Sequence, residues 1–129
     1  MGRIIIVIII GYLFGCIQTS YILGKLFRKV DIRSLGNGNA GASNATIEFG
    51  WKYGIVVAVV DILKAVLSIL IIKHLYHSQV SNSWLLFLLF LNGFFVILGH
   101  AYPFYLNCKG GKGTASLIGM LLIIDIRLG

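Results

Sequence analysis

Residues Ile4–Gly15 read IIIVIIIGYLFG, and this stretch decides the fold class. Apolar character continues to about Phe27, and a helix that crosses a membrane needs about 20 apolar residues. A cleavable signal peptide is the alternative for an apolar segment near the N-terminus, but no A-x-A cleavage pattern follows this one. The stretch therefore predicts a membrane-spanning helix from Ile4 to about Phe27.

The composition of the whole chain supports a membrane protein. The 129 residues are 58% hydrophobic and 12% charged, with a mean hydropathy of +0.94. Soluble domains average about 25% charged residues, so this chain has too few charged residues to cover a water-soluble core. The net charge is +7, but the basic residues form no stripe on an amphipathic element, which argues against nucleic-acid binding.

Three further apolar segments follow the first one. Two of them run from Gly54 to about Ile72 and from Trp84 to about Leu98. The last begins near Thr114 and reaches Asp125 after roughly eleven residues, which is short for a span. We predict an all-α, polytopic membrane bundle with about four spans, forming a single domain over residues 1–129. Either the last helix inserts only partially, or the sequence is the front part of a longer protein.

Basic residues are distributed unequally between the two ends of the predicted bundle. One end carries Arg3, Lys73 and Arg127, and the other carries seven basic residues: Lys25, Arg28, Lys29, Arg33, Lys52, Lys109 and Lys112. Cytoplasmic loops are enriched in Lys and Arg. The distribution therefore predicts that the two long loops face the cytoplasm and that the N-terminus lies outside.

Two pairs inside the predicted spans need an explanation. Asp61 and Lys64 are three residues apart on a helix and can form an ion pair. Such a pair is either structural or part of a site, because ionisable groups within a membrane are costly. Gly11 and Gly15 fit the G-x-x-x-G pattern, which indicates close helix packing.

The first loop, Ser34–Ala45, reads SLGNGNAGASNA. Glycine and asparagine favour left-handed backbone conformations and turns that are closed by side chains. Successive N–H groups in such turns can converge on an anion. A flexible loop has the same composition, so the residues alone leave an anion site and a flexible linker as equal alternatives.

The second loop, Gly99–Ser116, reads GHAYPFYLNCKGGKGTAS. Pro103 ends the preceding helix, and Thr114 opens the next one. The glycines between them allow close backbone approach, the two lysines supply charge, and a helix N-terminus favours an anion. Gly113 separates Lys112 from Thr114, so this is not a Walker A loop. The alternatives are a phosphate site and a basic turn that holds lipid headgroups, and His100 is either a packing residue or a polar member of the site.

Together the two loops resemble a known family. The segments DIRSLGNGNAGASN and GHAYPFYLNCKGGKGTAS are similar to those of the bacterial integral-membrane glycerol-3-phosphate acyltransferases that use acyl-phosphate donors. The segments GYLFGCIQTSYILGK and DILKA extend the resemblance over nearly the whole chain. It implies transfer of a fatty acyl group from acyl phosphate to the 1-hydroxyl of glycerol 3-phosphate. The products would be lysophosphatidic acid and phosphate, without a cofactor or metal.

The resemblance also implies the site residues and the setting. Asn37 and His100 would be catalytic. The substrate phosphates would be bound by Gly38, Asn39, Gly41, Ser43, Asn44, Lys109, Gly110, Gly111, Lys112, Gly113 and Thr114. The protein would be a multi-pass protein of the cell membrane with its active-site loops in the cytoplasm, in contact with both substrates and with membrane lipids.

Several positions depart from the family pattern. Asn37 stands where the family has serine, Ser43 where it has threonine, and Ile47 where an arginine is typical. Isoleucine cannot replace the bidentate geometry of a guanidinium at a phosphate site. The family's histidine-bearing third motif, farther toward the C-terminus, is absent from this sequence. The second hypothesis is therefore an inactive or truncated paralogue that binds phosphate-bearing lipid precursors or pairs with a full-length enzyme.

Overall fold

The regular secondary structure of the described residues, 1–128, is entirely helical in the computed structural model, with side chains described as far as Ile124. Six α-helices occur in chain order: α1 Gly2–Gly15, α2 Thr19–Leu23, α3 Ala42–Phe49, α4 Trp51–Tyr76, α5 Asn82–Ala101 and α6 Thr114–Leu128. A π-helical turn, Gly24–Arg28, continues α2, and short 3₁₀ turns lie at Ile32–Ser34 and Phe104–Leu106. The side chains of Asp125 and Arg127 lie outside the described part.

Three helical segments are long and apolar enough to cross a membrane: Gly2–Arg28, Trp51–Tyr76 and Asn82–Leu106. The apolar part of α6, Thr114–Ile124, is shorter. Large apolar side chains such as Ile9 lie on the outside of the bundle, where lipid would cover them. The prediction of an all-helical membrane bundle with a short last helix is confirmed, and α6 begins at the predicted Thr114.

The predicted first span, Ile4 to about Phe27, is confirmed as a membrane-capable segment, but it is not one unbroken helix. The segment breaks after Gly15, and α2 begins at Thr19. Gln18 leaves the helical region with φ −101° and ψ 88°. A break of this kind within a membrane frees backbone carbonyl groups, which must find other partners because lipid offers none.

Side chains from other elements supply the partners at the break. The Nζ atom of Lys64 donates to the carbonyl oxygens of Gly15, at 3.1 Å, and Ile17, at 2.6 Å. The hydroxyl group of Tyr105 donates to the carbonyl oxygen of Cys16. The break therefore depends on residues of α4 and of the second loop, which are distant from it in the sequence.

Helix α1 packs closely against α5 through its two glycines. A Cβ atom added at Gly11 would come within 2.6 Å of the carbonyl oxygen of Asn92. A Cβ atom at Gly15 would collide with the backbone of α5 at Val96 and Gly99. The predicted role of the G-x-x-x-G pair in helix packing is confirmed.

Two apolar clusters hold the bundle and the first loop. The main core includes Val7 of α1, Ile72 of α4, Leu88 of α5 and Met120 of α6. A second cluster seats the first loop and α3 on α4, through Ile32, Ala40, Ala45, Phe49 and Val57. The two long loops lie at the same end of the bundle, where the backbone N–H of Ala40 donates to the carbonyl oxygen of Gly110 at 3.4 Å.

Candidate functional site

A cavity of about 260 Å³ lies between the two loops and the adjoining ends of α4 and α5. Eight of the predicted site residues line it: Asn37, Asn39, Gly41, Ser43, His100, Lys112, Gly113 and Thr114. The rest of the lining comes from Asp61, whose role the sequence left open, and from five residues that it did not assign to the site: Ala42, Ala58, Ile62, Ala115 and Ile118. The structure therefore joins the two motifs at one site.

Asn44 sets the shape of the first loop. It is fully buried, and its amide nitrogen donates to the carbonyl oxygens of Ile32, Leu35 and Asn39 at 2.8–3.1 Å. Its amide oxygen accepts from the backbone N–H of Asn37 at 2.9 Å. Buried polar groups need such partners. The loop is thus an ordered turn, and the alternative of a flexible linker does not describe it.

The second loop is held by backbone hydrogen bonds of its own and by side chains from elsewhere in the chain. Arg33 donates from Nη1 to the carbonyl oxygens of Leu106, at 2.8 Å, and Lys109, at 3.0 Å. The buried Gln18 donates from Nε2 to the carbonyl oxygen of His100 at 2.8 Å. The position of the loop therefore depends on the first loop's flank and on the break in the first span.

Gly110 and Gly111 allow the second loop to lie directly against His100 and Pro103. A Cβ atom at Gly110 would collide with the carbonyl oxygen of His100 and come within 2.9 Å of Pro103 Cδ. A Cβ atom at Gly111 would collide with the imidazole ring of His100. These glycines are therefore required by close packing within the protein, in addition to the ligand approach that the sequence suggested.

Two helix N-termini open onto the cavity. Gly41, Ala42 and Ser43 at the start of α3 and Gly113 and Thr114 at the start of α6 all line it. The first N–H groups of a helix have no partner within that helix, and the helix dipole places positive charge there. An anion in this cavity would thus meet two helix ends.

Lys112 adds a positive side chain to the same wall. It lines the cavity, is exposed, and makes no hydrogen bond or ion pair with any group in the described part of the chain. Lys109 is also exposed but lies outside the cavity lining. Of the two predicted lysines, Lys112 thus lies at the cavity and Lys109 does not.

Five of the predicted site residues do not line the cavity: Gly38, Asn44, Lys109, Gly110 and Gly111. The roles that the resemblance implied for all the site residues stay predictions. Among the residues that the structure describes, no three His, Cys, Asp or Glu side chains lie close enough to hold a metal ion.

The Asp61–Lys64 pair forms a buried link between the cavity and the broken span. The side chains are 3% exposed or less, and Lys64 Nζ lies 3.2 Å from Asp61 Oδ1. Asp61 also accepts from the hydroxyl group of Thr19 at 3.3 Å, and Lys64 Nζ lies 2.8 Å from Nδ1 of His100. The pair is thus structural and also in contact with the site, so the two alternatives are not exclusive.

Asp31 and Arg33 form a second ion pair outside the spans, at the flank of the first loop. Arg33 Nη2 lies 2.7 Å from Asp31 Oδ2, and Asp31 also accepts from the backbone N–H of Arg33. The hydrogen bonds from the guanidinium hold the pKa of Asp31 below its ordinary value. The pair fixes the guanidinium that reaches over to the second loop.

The fold and the site define an integral-membrane protein with a cavity at one end of its helices, lined by two helix N-termini and a lysine. The family model described as glycerol-3-phosphate acyltransferase matches residues 5–129. The chain belongs to the glycerol-3-phosphate acyltransferase family.

Relatives and solved structures agree with this assignment. The chain is 47% identical over 125 residues to glycerol-3-phosphate acyltransferase 1 of Oceanobacillus iheyensis, covering 96% of this chain and 60% of that protein. It is 40% identical to the enzyme of Thermoanaerobacter pseudethanolicus, covering 94% and 57%. The chain spans about 60% of the length of the curated relatives it matches.

Two crystal structures have the same fold. Both are of PlsY, an integral membrane glycerol 3-phosphate acyltransferase. The glycerol 3-phosphate form superposes with a TM-score of 0.80 at 33% identity, covering 97% of this chain and 59% of that one. The lysophosphatidic acid form gives a TM-score of 0.75 at 31% identity, covering 97% and 58%.

Proposed function

We propose that the chain provides the phosphate-binding part of an acyltransferase that moves a fatty acyl group from acyl phosphate to glycerol 3-phosphate. The 1-hydroxyl oxygen attacks the acyl carbon, and the bond from that carbon to the phosphate oxygen breaks. The hydroxyl proton ends on the released phosphate, so the products are lysophosphatidic acid and hydrogen phosphate. The observation that carries the proposal is the cavity that both motif loops line together with two helix N-termini and Lys112.

The chemistry of the substrates fits this cavity. Both carry a phosphate, and an acyl phosphate already contains a good leaving group, so orientation and charge stabilisation can supply most of the catalysis. A cavity of about 260 Å³ is near the small end of ligand pockets and suits a polar head group. The acyl chain would then lie along the apolar outer surface of the helices, in the bilayer.

The site residues follow from this proposal. We assign phosphate contacts to Lys112, to the backbone at Gly113 and Thr114, and to the start of α3 at Gly41 and Ser43. The resemblance implied eight further site residues, and each would either hold a loop in shape or contact a substrate. They are Asn37, Gly38, Asn39, Asn44, His100, Lys109, Gly110 and Gly111.

The test of the function is acyl transfer by the purified 129-residue protein in lipid, with acyl phosphate and glycerol 3-phosphate as substrates. We expect lysophosphatidic acid and one phosphate per product. Failure to form product while glycerol 3-phosphate still binds, with the fold intact, would reject catalysis by this chain.

A second candidate function is a non-catalytic paralogue that binds phosphate-bearing lipid precursors or partners a full-length enzyme. Ile47 favours it, because an exposed isoleucine on α3 stands at the position where the resemblance places an arginine. Under this candidate, glycerol 3-phosphate binds without turnover. Product formation by the wild-type chain would exclude it.

We also propose that the site faces the cytoplasm of a cell membrane. Support comes from the end of the bundle that holds the loops, which carries the seven basic residues named above. Cys108 in the second loop is exposed, and Cys16 is buried. A membrane-impermeant thiol reagent should therefore label inside-out vesicles and not intact cells, and Cys108→Ser should abolish the label. Labelling of intact cells would mean that the two loops face the outside of the cell.

A further inference from the structure

The Nζ atom of the buried Lys64 has four polar neighbours. Its Nζ atom lies 2.6 Å and 3.1 Å from the carbonyl oxygens of Ile17 and Gly15, and 3.2 Å from Oδ1 of Asp61. The fourth neighbour is Nδ1 of His100 at 2.8 Å. Lys64 and Asp61 are both buried, so these contacts do not compete with bulk water.

The three oxygen atoms fix the direction of the hydrogen bond to His100. A carbonyl oxygen and a carboxylate only accept, so Lys64 must donate to each of them, and three donors are available only from an ammonium group. An ammonium group has no lone pair and cannot accept a proton from an imidazole N–H. Nδ1 of His100 must therefore be the acceptor, sharing the Lys64 donors with the oxygen atoms.

An accepting Nδ1 determines the state of the other ring nitrogen. A neutral imidazole with an unprotonated Nδ1 carries its proton on Nε2. The imidazole ring lines the cavity, and its Nε2 atom lies against Gly111. The proton therefore sits on the side of the ring that meets the second loop, and the basic lone pair of the ring, on Nδ1, is engaged by Lys64.

We propose that Lys64 is a positioning residue that holds His100 as the Nε2–H tautomer, so that His100 presents a hydrogen-bond donor to an anion in the cavity. This inference rests on the proposed function only for the identity of the anion. His100 would then donate to a phosphate or to a developing negative charge, and it would not abstract the hydroxyl proton of the acceptor.

The first test reads the tautomer directly. The chain has three histidines, and His74 and His77 are exposed at the far end of α4. A His74→Gln/His77→Gln protein, labelled with ¹⁵N-histidine in nanodiscs, therefore reports His100 alone by NMR. We expect a protonated Nε2 and an unprotonated Nδ1. An Nδ1–H tautomer or an imidazolium would overturn the inference.

The second test removes the donor. In Lys64→Met, the Nδ1–H form of His100 can donate to the acceptors that lysine leaves behind, so the ratio of Nε2–H to Nδ1–H should fall by about tenfold or more. Ser68→Ala is the matched control: Ser68 lies one turn further along α4 and donates to Asn92 at 2.8 Å without touching His100. The control should keep the wild-type ratio. An unchanged ratio in folded Lys64→Met would reject a positioning role, and if that variant does not fold, the wild-type spectrum still decides the tautomer.

Addition of glycerol 3-phosphate separates this inference from the proposed function. If both hold, the Nε2–H proton resonance of His100 should shift on titration. An Nε2–H tautomer without any shift, and without binding by calorimetry, would leave the positioning role intact and count against the proposed substrate.

Discussion

The two glycine-rich loops look alike in sequence but are built by different means. The first loop, Ser34–Ala45, is shaped by its own polar side chain, since Asn44 bonds to four backbone groups in or beside it. The second loop, Gly99–Ser116, accepts long-range hydrogen bonds from side chains outside it, among them Arg33 and Gln18. Its two lysine side chains make no hydrogen bonds with the described residues.

This difference distinguishes polar side chains that hold a loop in shape from polar side chains that remain available to contact a ligand. The side chain of Asn44 is fully used in holding the first loop, so an asparagine there is not in itself a sign of ligand binding. The lysine side chains of the second loop make no hydrogen bond or ion pair within the described part of the chain, so their charges are available. Substitution of Asn44 should therefore act on stability, and substitution of Lys112 should act on binding.

The largest effect is expected for Asn44→Ala. The substitution leaves several buried backbone groups without partners, at a cost of about 3 kcal/mol in the free energy of unfolding. Thermal unfolding in detergent measures it. Ser43→Ala is the matched control, because Ser43 is exposed on the cavity wall and should change stability by less than about 0.5 kcal/mol. Equal stability of the two variants would contradict the framework role of Asn44.

Lys112→Ala should weaken ligand binding and leave stability almost unchanged. Loss of one charged hydrogen bond to a phosphate should weaken glycerol 3-phosphate binding by about tenfold to a hundredfold, while the unfolding temperature stays near that of the wild type. Isothermal titration calorimetry measures the affinity.

Lys109→Ala is the comparison variant, because Lys109 is equally exposed but lies outside the cavity lining. We expect a clearly smaller loss of affinity for it. Equal losses at both positions would favour the family pattern over the geometry, and no loss at Lys112 would reject the phosphate assignment.

The sequence predicted the class of fold because its main signal is composition. Local residues were enough to predict the long apolar segments and the start of α6 after Gly113. The break at residues 16–18 did not, because it depends on Lys64 and Tyr105, which are distant in sequence. The same reason explains why the ion pair of Asp61 and Lys64 was noticed but its contact with His100 was not.

The site was predicted in part for a similar reason. Glycine, lysine and asparagine motifs indicated an anion, and eight of those residues line one cavity. Which asparagine serves the loop and which faces the cavity depends on side-chain direction, as with Asn44 and Asn39. Apolar lining residues such as Ala58 and Ile118 carry no chemical signal in a sequence that is apolar throughout.

Arg33→Lys tests the connection between the loops and should have a moderate effect. Lysine keeps the charge but cannot reach Asp31, Leu106 and Lys109 together, because it lacks the planar fork of donors. We expect a loss of about 1 kcal/mol in stability and faster hydrogen exchange at the second-loop amides.

Arg28→Lys is the control for Arg33→Lys. The Arg28 guanidinium lies over the rings of Phe49 and Tyr53, at 5.7 Å and 5.3 Å, and belongs to the same basic end of the bundle. Its replacement should leave exchange in the second loop unchanged. Equal exchange in both variants would show that the loops are joined without Arg33.

The smallest expected effect is the pH dependence of this connection. Arg33 lowers the pKa of Asp31 below the ordinary value of 3.8, so the ionised carboxylate is favoured in the folded protein. Its contribution to stability is therefore full above about pH 4 and is lost as the pH falls through the lowered folded-state pKa. Both side chains are partly exposed, which limits the contribution to less than about 1 kcal/mol.

Asp31→Asn keeps an acceptor for the backbone N–H of Arg33 but cannot ionise, so the gap in unfolding temperature between wild type and variant should narrow from pH 6 to pH 3. A constant gap across that range would mean that Arg33 is held by the shape of the turn, and that charge has no part in joining the first loop to the second.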